Sequence, residues 1–211
     1  MKEGIIFDLD GTLWDSTEQV VESWNHVLSE NEDTDYLMTI NDMKKLMGKT
    51  IKEIAEIVLK DVPEKRAIEI MKSCCSEELI YLDEHGGILY PQLEETLSKL
   101  SEKYSLYIVS NCQEGYIESF LKFHKLNKYF SDYENHGRTN LPKGENIKLI
   151  MERNNLDKAF YVGDTQGDLD AAKLAGIPFI YAKYGFGNVN SERYFINNLS
   201  ELPKMIENYY I

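Results

Sequence analysis

Apolar and polar positions change rhythm along this chain, and the rhythm predicts its elements. Ile5-Ile6-Phe7 is a short unbroken apolar run, the pattern of a strand covered on both faces. From Val20 the period lengthens, and Val20, Val21, Trp24, Val27 and Leu28 recur at helical spacing. Asp15, with Glu18 three residues on, reads as a capping-box start for that helix. A polar break follows at 31–35. Further helical pieces are expected at 41–47, 50–60 and 63–85, divided by Gly48 and by Asp61-Val62-Pro63. Pro63 suits a helix N-terminus, and His85-Gly86-Gly87 supplies a stop.

From Leu89 the rhythm alternates. A helix is expected at 91–103, with Leu93, Leu97 and Leu100 on one face, then a strand at 106–110 and a helix at 113–124. A weak strand at 129–134, a helix at 144–154 and a strand at 159–162 follow. The pattern closes with a helix at 169–175 stopped by Gly176, a strand at 178–181 and a last helix at 199–209. Such alternation predicts the α/β class, with a doubly wound, mostly parallel sheet. The helical stretch 15–82 is too long for a simple strand-to-helix connection. It is expected to form an inserted all-α cap, with residues 1–14 and 83–211 making the α/β core. A cap over the first strand's carboxyl end would exclude water and select substrate.

Composition narrows the partners. The 211 residues are 43% hydrophobic, enough for a real core. The net charge of −13 disfavours nucleic acid and anionic membrane surfaces, which call for a basic footprint. It leaves room for a small phosphate ester, because a few lysines and a metal ion can reverse the field inside one cleft. Cys74, Cys75 and Cys112 have no paired spacing of the kind a disulfide framework or zinc site shows. Met-Lys-Glu-Gly leads straight into a strand without a signal-peptide core, and no run of about 18 apolar residues occurs. A cytoplasmic protein, monomer or homodimer, is the expectation.

The candidate chemistry sits at strand ends. Asp8 and Asp10 close the first strand two positions apart, so both can point the same way, and Gly11 lets the chain turn after them. Acids at the end of a buried strand are costly unless a cation or a proton uses them. Ligands of open α/β sheets bind at that end. Three other stretches share this placement: Ser110-Asn111, Lys143 before a helix, and Gly163-Asp164-Thr165-Gln166-Gly167-Asp168 after a third buried strand. Each alone reads as an ordinary helix cap or a solvated charge. Their order along an alternating chain is what makes them a set. Within the helical stretch, Lys49 and Lys52 follow the Gly48 break and are candidates to read a substrate's second anionic group.

Asp8-Leu9-Asp10-Gly11-Thr12, Ser110-Asn111, Lys143 and Gly163-Asp164-Thr165-Gln166-Gly167-Asp168, in that order, resemble the haloacid dehalogenase-like superfamily over essentially the whole chain. The helical insertion after the first motif resembles that family's type 1 cap. The Asp-Gly-Thr-Leu-x-Asp-Ser opening and Tyr90-Pro91 are similar to the phosphoglycolate phosphatase-like subgroup. The resemblance implies a Mg²⁺-dependent phosphatase for a small phosphorylated metabolite, working through an aspartyl-phosphate. It implies Asp8 as nucleophile and Asp10 as general acid and base. Lys143, Ser110, Asn111, Gly11 and Thr12 would hold phosphate. The Asp8 carboxylate, the Asp10 main-chain carbonyl and Asp164 would bind metal, with Asp168 behind them. Alternatives are a β-phosphoglucomutase-like phosphosugar mutase, a phosphonatase using a cap lysine, and a non-catalytic receiver-type module.

Overall fold

β1 (Glu3–Phe7) lies at the centre of the molecule because its two faces are both apolar. Ile5 and Phe7 point into one buried cluster and Ile6 into another, as the period of two requires. The structure, a computed structural model, describes residues 2–190 and 193–209. Of the expected core segments, Met1, Ser191, Glu192, Tyr210 and Ile211 lie outside the described residues.

After β1 the chain makes a tight turn into β2 (Trp14–Asp15), then four helices: α1 (Thr17–Ser29), α2 (Ile40–Leu46), α3 (Ile51–Val58) and α4 (Glu64–His85). β3 (Ile88–Leu89) returns antiparallel to β2. The alternating part follows as α5 (Leu93–Ser101), β4 (Ser105–Ser110), α6 (Tyr116–Phe123), β5 (Phe130–Asn135), α7 (His136–Thr139), α8 (Lys143–Arg153) and β6 (Lys158–Gly163). It closes with α9 (Gln166–Ala175), β7 (Phe179–Ala182), β8 (Phe195–Ile196), a 3₁₀ turn at Leu199–Glu201 and α10 (Leu202–Tyr209). The main sheet has the order β5-β4-β1-β6-β7-β8, with every pair parallel.

The two faces are covered by different helices. Leucines of α5, aromatic residues of α6 and apolar residues of α10 meet Ile5 and Phe7. Ile147 and Ile150 of α8, with Ala171 and Ala172 of α9, meet Ile6, Tyr107 and Val109. This is the doubly wound α/β fold expected from the alternation. A third cluster, separate from both, is built from α1–α4: Val20, Trp24, Met43, Ile54, Met71 and Cys74 are among its members. Among the described residues no helix is long and apolar enough to cross a membrane.

Several local expectations need correction. No capping box forms at Asp15 and Glu18. Ser16 is the N-cap of α1, but its hydroxyl is turned to Asp10, while Asp15 Oδ1 accepts from Thr17 N at 2.9 Å and Thr17 Oγ1 at 2.6 Å. Capping boxes appear instead at Thr50/Glu53 and Thr165/Asp168. The second of these starts α9 three residues earlier than the apolar spacing implied. The β2–β3 ribbon carries only two residues on each strand, too few for alternation to register.

Candidate functional site

The site begins where β1 stops. Asp8 N extends the ladder by donating to Val162 O at 2.8 Å, which fixes the backbone at the sheet's carboxyl edge. Asp8 is 1% exposed. Lys143 opens α8 and is itself buried; its Nζ stands 3.0 Å from Asp8 Oδ1 and 2.6 Å from Asp168 Oδ1. Burial alone would strip a lysine of its proton, but the Asp168 and Asp8 charges overcome it and raise the pKa. Lys143 is therefore a fixed cation.

Asp168 is spent on structure. Its Oδ2 accepts from Thr165 Oγ1 at 2.7 Å, Thr165 N at 2.9 Å and Asp164 N at 3.2 Å, and Tyr161 OH donates to Oδ1 at 3.3 Å. Burial acts to raise its pKa, yet Lys143 and the Thr165 hydrogen bonds outweigh it and hold the carboxyl below its ordinary value. Asp164 is held differently. Its Oδ2 accepts from Phe186 N at 2.7 Å and Gly187 N at 3.2 Å, both from the loop after β7. Its Oδ1 is buried with no partner among the described residues, and so is Asp8 Oδ2.

Burial first and Asp168 second raise the pKa of Asp8, and push Asp164 up to about 7. One carboxylate oxygen from each of Asp8, Asp164 and Asp168 lies within 4.8 Å of the others. Two orphaned buried carboxylate oxygens are costly as they stand, and a hard divalent cation would satisfy both. The donors fit Mg²⁺: they are all oxygen, and Asp8 and Asp164 have the free atoms.

Asp10 is surrounded by neutral donors. Its Oδ1 accepts from Tyr116 OH at 2.8 Å, Trp14 Nε1 at 2.9 Å and Ser16 Oγ at 2.9 Å. Burial raises its pKa, and these three hydrogen bonds pull against that. Gly11 adopts φ +79°, and a Cβ there would come within 2.3 Å of Asp164 Oδ2. The turn after Asp10 thus needs glycine for conformation and for space. Thr12 is fully buried, its Oγ1 has no partner among the described residues, and its carbonyl accepts from Tyr184 OH at 2.8 Å.

Ser110 closes β4 and is buried. Asn111 bridges to the helical unit, donating from Nδ2 to Gly48 O at 2.8 Å, while its Oδ1 is unpaired among the described residues. Between the sheet edge and α1–α4 lies a pocket whose wall includes Asp10, Ser110, Asn111, Tyr116, Lys49 and Glu78. The expected site residues therefore converge, with one exception. Lys52 is exposed and turned away, 3.6 Å from Glu64 Oε1 and 4.0 Å from Glu56 Oε1, because its place on α3 faces α4 and not the core. Lys49 does reach the pocket wall.

Residues absent from the sequence reading also contribute. Tyr116 and the 185–187 loop carry no local signal, since their partners are far off in sequence. Glu78 had one: Cys74, Glu78 and Leu82 share a helical stripe, and an acid on an otherwise apolar stripe marks a buried charge.

The haloacid dehalogenase-like hydrolase family model matches residues 5–182. The chain is 27% identical over 216 aligned positions to a phosphoglycolate phosphatase of Aquifex aeolicus, covering 98% of each. It is 27% identical to the phosphoglycolate phosphatase of Escherichia coli O157:H7, covering 87% of this chain and 82% of that one. Among solved structures, a predicted phosphatase from Clostridium acetobutylicum superposes with a TM-score of 0.81 at 25% identity, covering 99% of both chains. CbbY from Rhodobacter sphaeroides, solved with phosphate, shares the fold with a TM-score of 0.82 at 17% identity, covering 96% of each chain. The chain belongs to the haloacid dehalogenase-like hydrolases, as an enzyme of that family similar to the phosphoglycolate phosphatases.

Proposed function

We propose that the enzyme hydrolyses a small phosphomonoester through a phosphoryl group carried on Asp8. The observation that supports this most is the unlike treatment of two acids from one strand end. Asp8 faces a fixed ammonium and an orphaned carboxylate, while Asp10 is set among neutral donors and its burial keeps it protonatable.

In the first step an Asp8 oxygen attacks phosphorus, the ester P–O bond breaks, and the departing alkoxide takes the Asp10 proton. In the second, Asp10 takes a proton from water as that water attacks phosphorus. The bond from phosphorus to Asp8 breaks, releasing phosphate and restoring both acids. Lys143, Ser110, Asn111 and main-chain N–H groups around Gly11 and Thr12 hold the phosphoryl oxygens. Mg²⁺ held by Asp8, the Asp10 main-chain carbonyl and Asp164 would offset the phosphoryl charge. Asp168 acts behind them by fixing Lys143 and the turn that carries Asp164.

Residues 15–82 serve as the cap over this edge, and Lys49 is the cationic group it places toward the leaving part of the substrate. The enzyme works in the cytoplasm on a phosphorylated metabolite, as monomer or homodimer. Gly163 weighs against the phosphosugar mutases, which resemble this chain but often carry glutamate there. A Cβ at 163 would lie 2.6 Å from Asp168 Cβ and Cγ, so the larger side chain lacks room. The test is p-nitrophenyl phosphate hydrolysis with and without Mg²⁺ by wild type and Asp8→Asn. The reading requires Mg²⁺ dependence and loss of turnover in the variant; equal rates in both proteins would refute it.

A further inference from the structure

Glu78 sits in the middle of α4, 3% exposed, and takes no part in the steps above. Its Oε2 accepts from Trp24 Nε1 of α1 and from Gln113 Nε2 of the loop after β4, each at 2.9 Å. Its Oε1 has no hydrogen-bond partner among the described residues, and the residue forms part of the pocket wall beside Asp10 and Lys49. The tie between α1, α4 and the core loop runs through Oε2 alone, which leaves Oε1 free for another partner.

No cation pairs with Glu78 among the described residues. Asp10 is the charged neighbour and makes the anion costlier, while Cys74, Cys75, Cys112 and Tyr116 are held neutral by burial and offset nothing. A buried carboxylate without a cation gives up its charge by keeping its proton. Burial accordingly pushes the Glu78 carboxyl up to about 8. Because two donors already occupy Oε2, the proton belongs on Oε1.

We propose that Glu78 determines specificity by donating a hydrogen bond from its Oε1–H to an oxygen on the leaving group of the substrate. The inference rests on the phosphatase reading and adds the chemistry that the alcohol part must carry: an acceptor oxygen beyond the ester bond. That oxygen belongs to a carboxylate or to a hydroxyl, and the two are separable by experiment.

The experiment compares kcat/KM for 2-phosphoglycolate, glycerol 3-phosphate and ethyl phosphate, the last lacking a second oxygen. Wild type, Glu78→Gln and Glu78→Leu are assayed, and each is checked by thermal melting. Glu78→Leu is expected to lower kcat/KM about tenfold or more, mainly through KM, for one of the two oxygenated esters and to leave ethyl phosphate within about twofold. Glu78→Gln keeps an N–H donor and the isosteric tie, so it should recover most of that loss. Loss on 2-phosphoglycolate identifies a carboxylate, and loss on glycerol 3-phosphate a hydroxyl.

In wild type, KM for the affected ester should rise as pH passes about 8, and in Glu78→Gln it should not. An equal loss on all three esters, or none, would overturn the proposal and leave Glu78 a structural tie. If wild type hydrolysed none of the three, the phosphatase reading itself would fall, and this inference with it.

Discussion

Tyr116 donates its phenol to Asp10 Oδ1 at 2.8 Å, across 106 positions of the chain. The same hydroxyl lies 2.7 Å from Ser16 Oγ, so core helix α6 and the start of α1 grip one carboxyl oxygen together. Burial raises the Asp10 pKa, and these hydrogen bonds to its charged form lower it. Tyr116→Phe removes one of the lowering contacts, so Asp10 should hold its proton to higher pH. The alkaline limb of the kcat profile should move up in pH. Turnover at neutral pH should fall about threefold to tenfold, near the ~1 kcal/mol of one such bond. A pH–rate profile of the variant checks both.

Asp168 and Lys143 form a buried ion pair at 2.6 Å, and Asp168→Asn leaves the ammonium with Asp8 alone. Removing one partner of a buried pair costs ~3–5 kcal/mol. The folded Asp168 pKa lies below the unfolded one, so its contribution is complete above about pH 4 and is lost as pH falls through the folded value. Urea denaturation at pH 7 should show the full deficit of the variant, and the deficit should shrink in acid.

Asp8 and Asp164 behave in the opposite sense. Their folded pKa values are raised, so without a cation their contribution is present below about pH 4 and is lost as pH rises through the folded values, about 7 for Asp164. A divalent cation takes their ionised forms. Mg²⁺ should therefore raise Tm more at pH 8 than at pH 5, with EDTA as the reference. Asp164→Asn should abolish most of the increment. An equal shift at both pH values would count against these two acids as the ligands.

Gly11 has to turn the chain at φ +79° against Asp164. Gly11→Ala adds strain worth ~1–3 kcal/mol and drives a methyl into the Asp164 carboxylate. Both stability and Mg²⁺ response should fall together, measured by melting with and without the ion.

What could be read from the chain followed from range. β1 and β6 were legible because a strand buried on both faces is an unbroken apolar run, and Asp8 and Asp164 were legible as acids just beyond such runs. Lys143 became informative only by its place at the start of α8. Tyr116, the 185–187 loop and Gln113 were not legible, because each acts on a partner at least 22 residues away and carries no local mark of that role. Lys52 was misplaced by sequence for the complementary reason. Closeness to Gly48 in the chain says nothing about which face of α3 a side chain occupies, and Glu56 and Glu64 hold it outside. The helix starts moved for a local reason, since Thr165 and Asp168 cap each other ahead of the apolar stripe.

The central claim is that phosphorus is bonded to Asp8 during turnover. Acid quenching of enzyme turning over a phosphomonoester with Mg²⁺, followed by peptide mass spectrometry, tests it directly. The account predicts an acid-stable, base-labile phosphoryl group on the peptide at Asp8. It predicts none in Asp8→Asn, whose kcat should fall about a thousandfold or more, as expected when a covalent nucleophile is lost. A phosphoryl group on another residue, or undiminished turnover by Asp8→Asn, would contradict it.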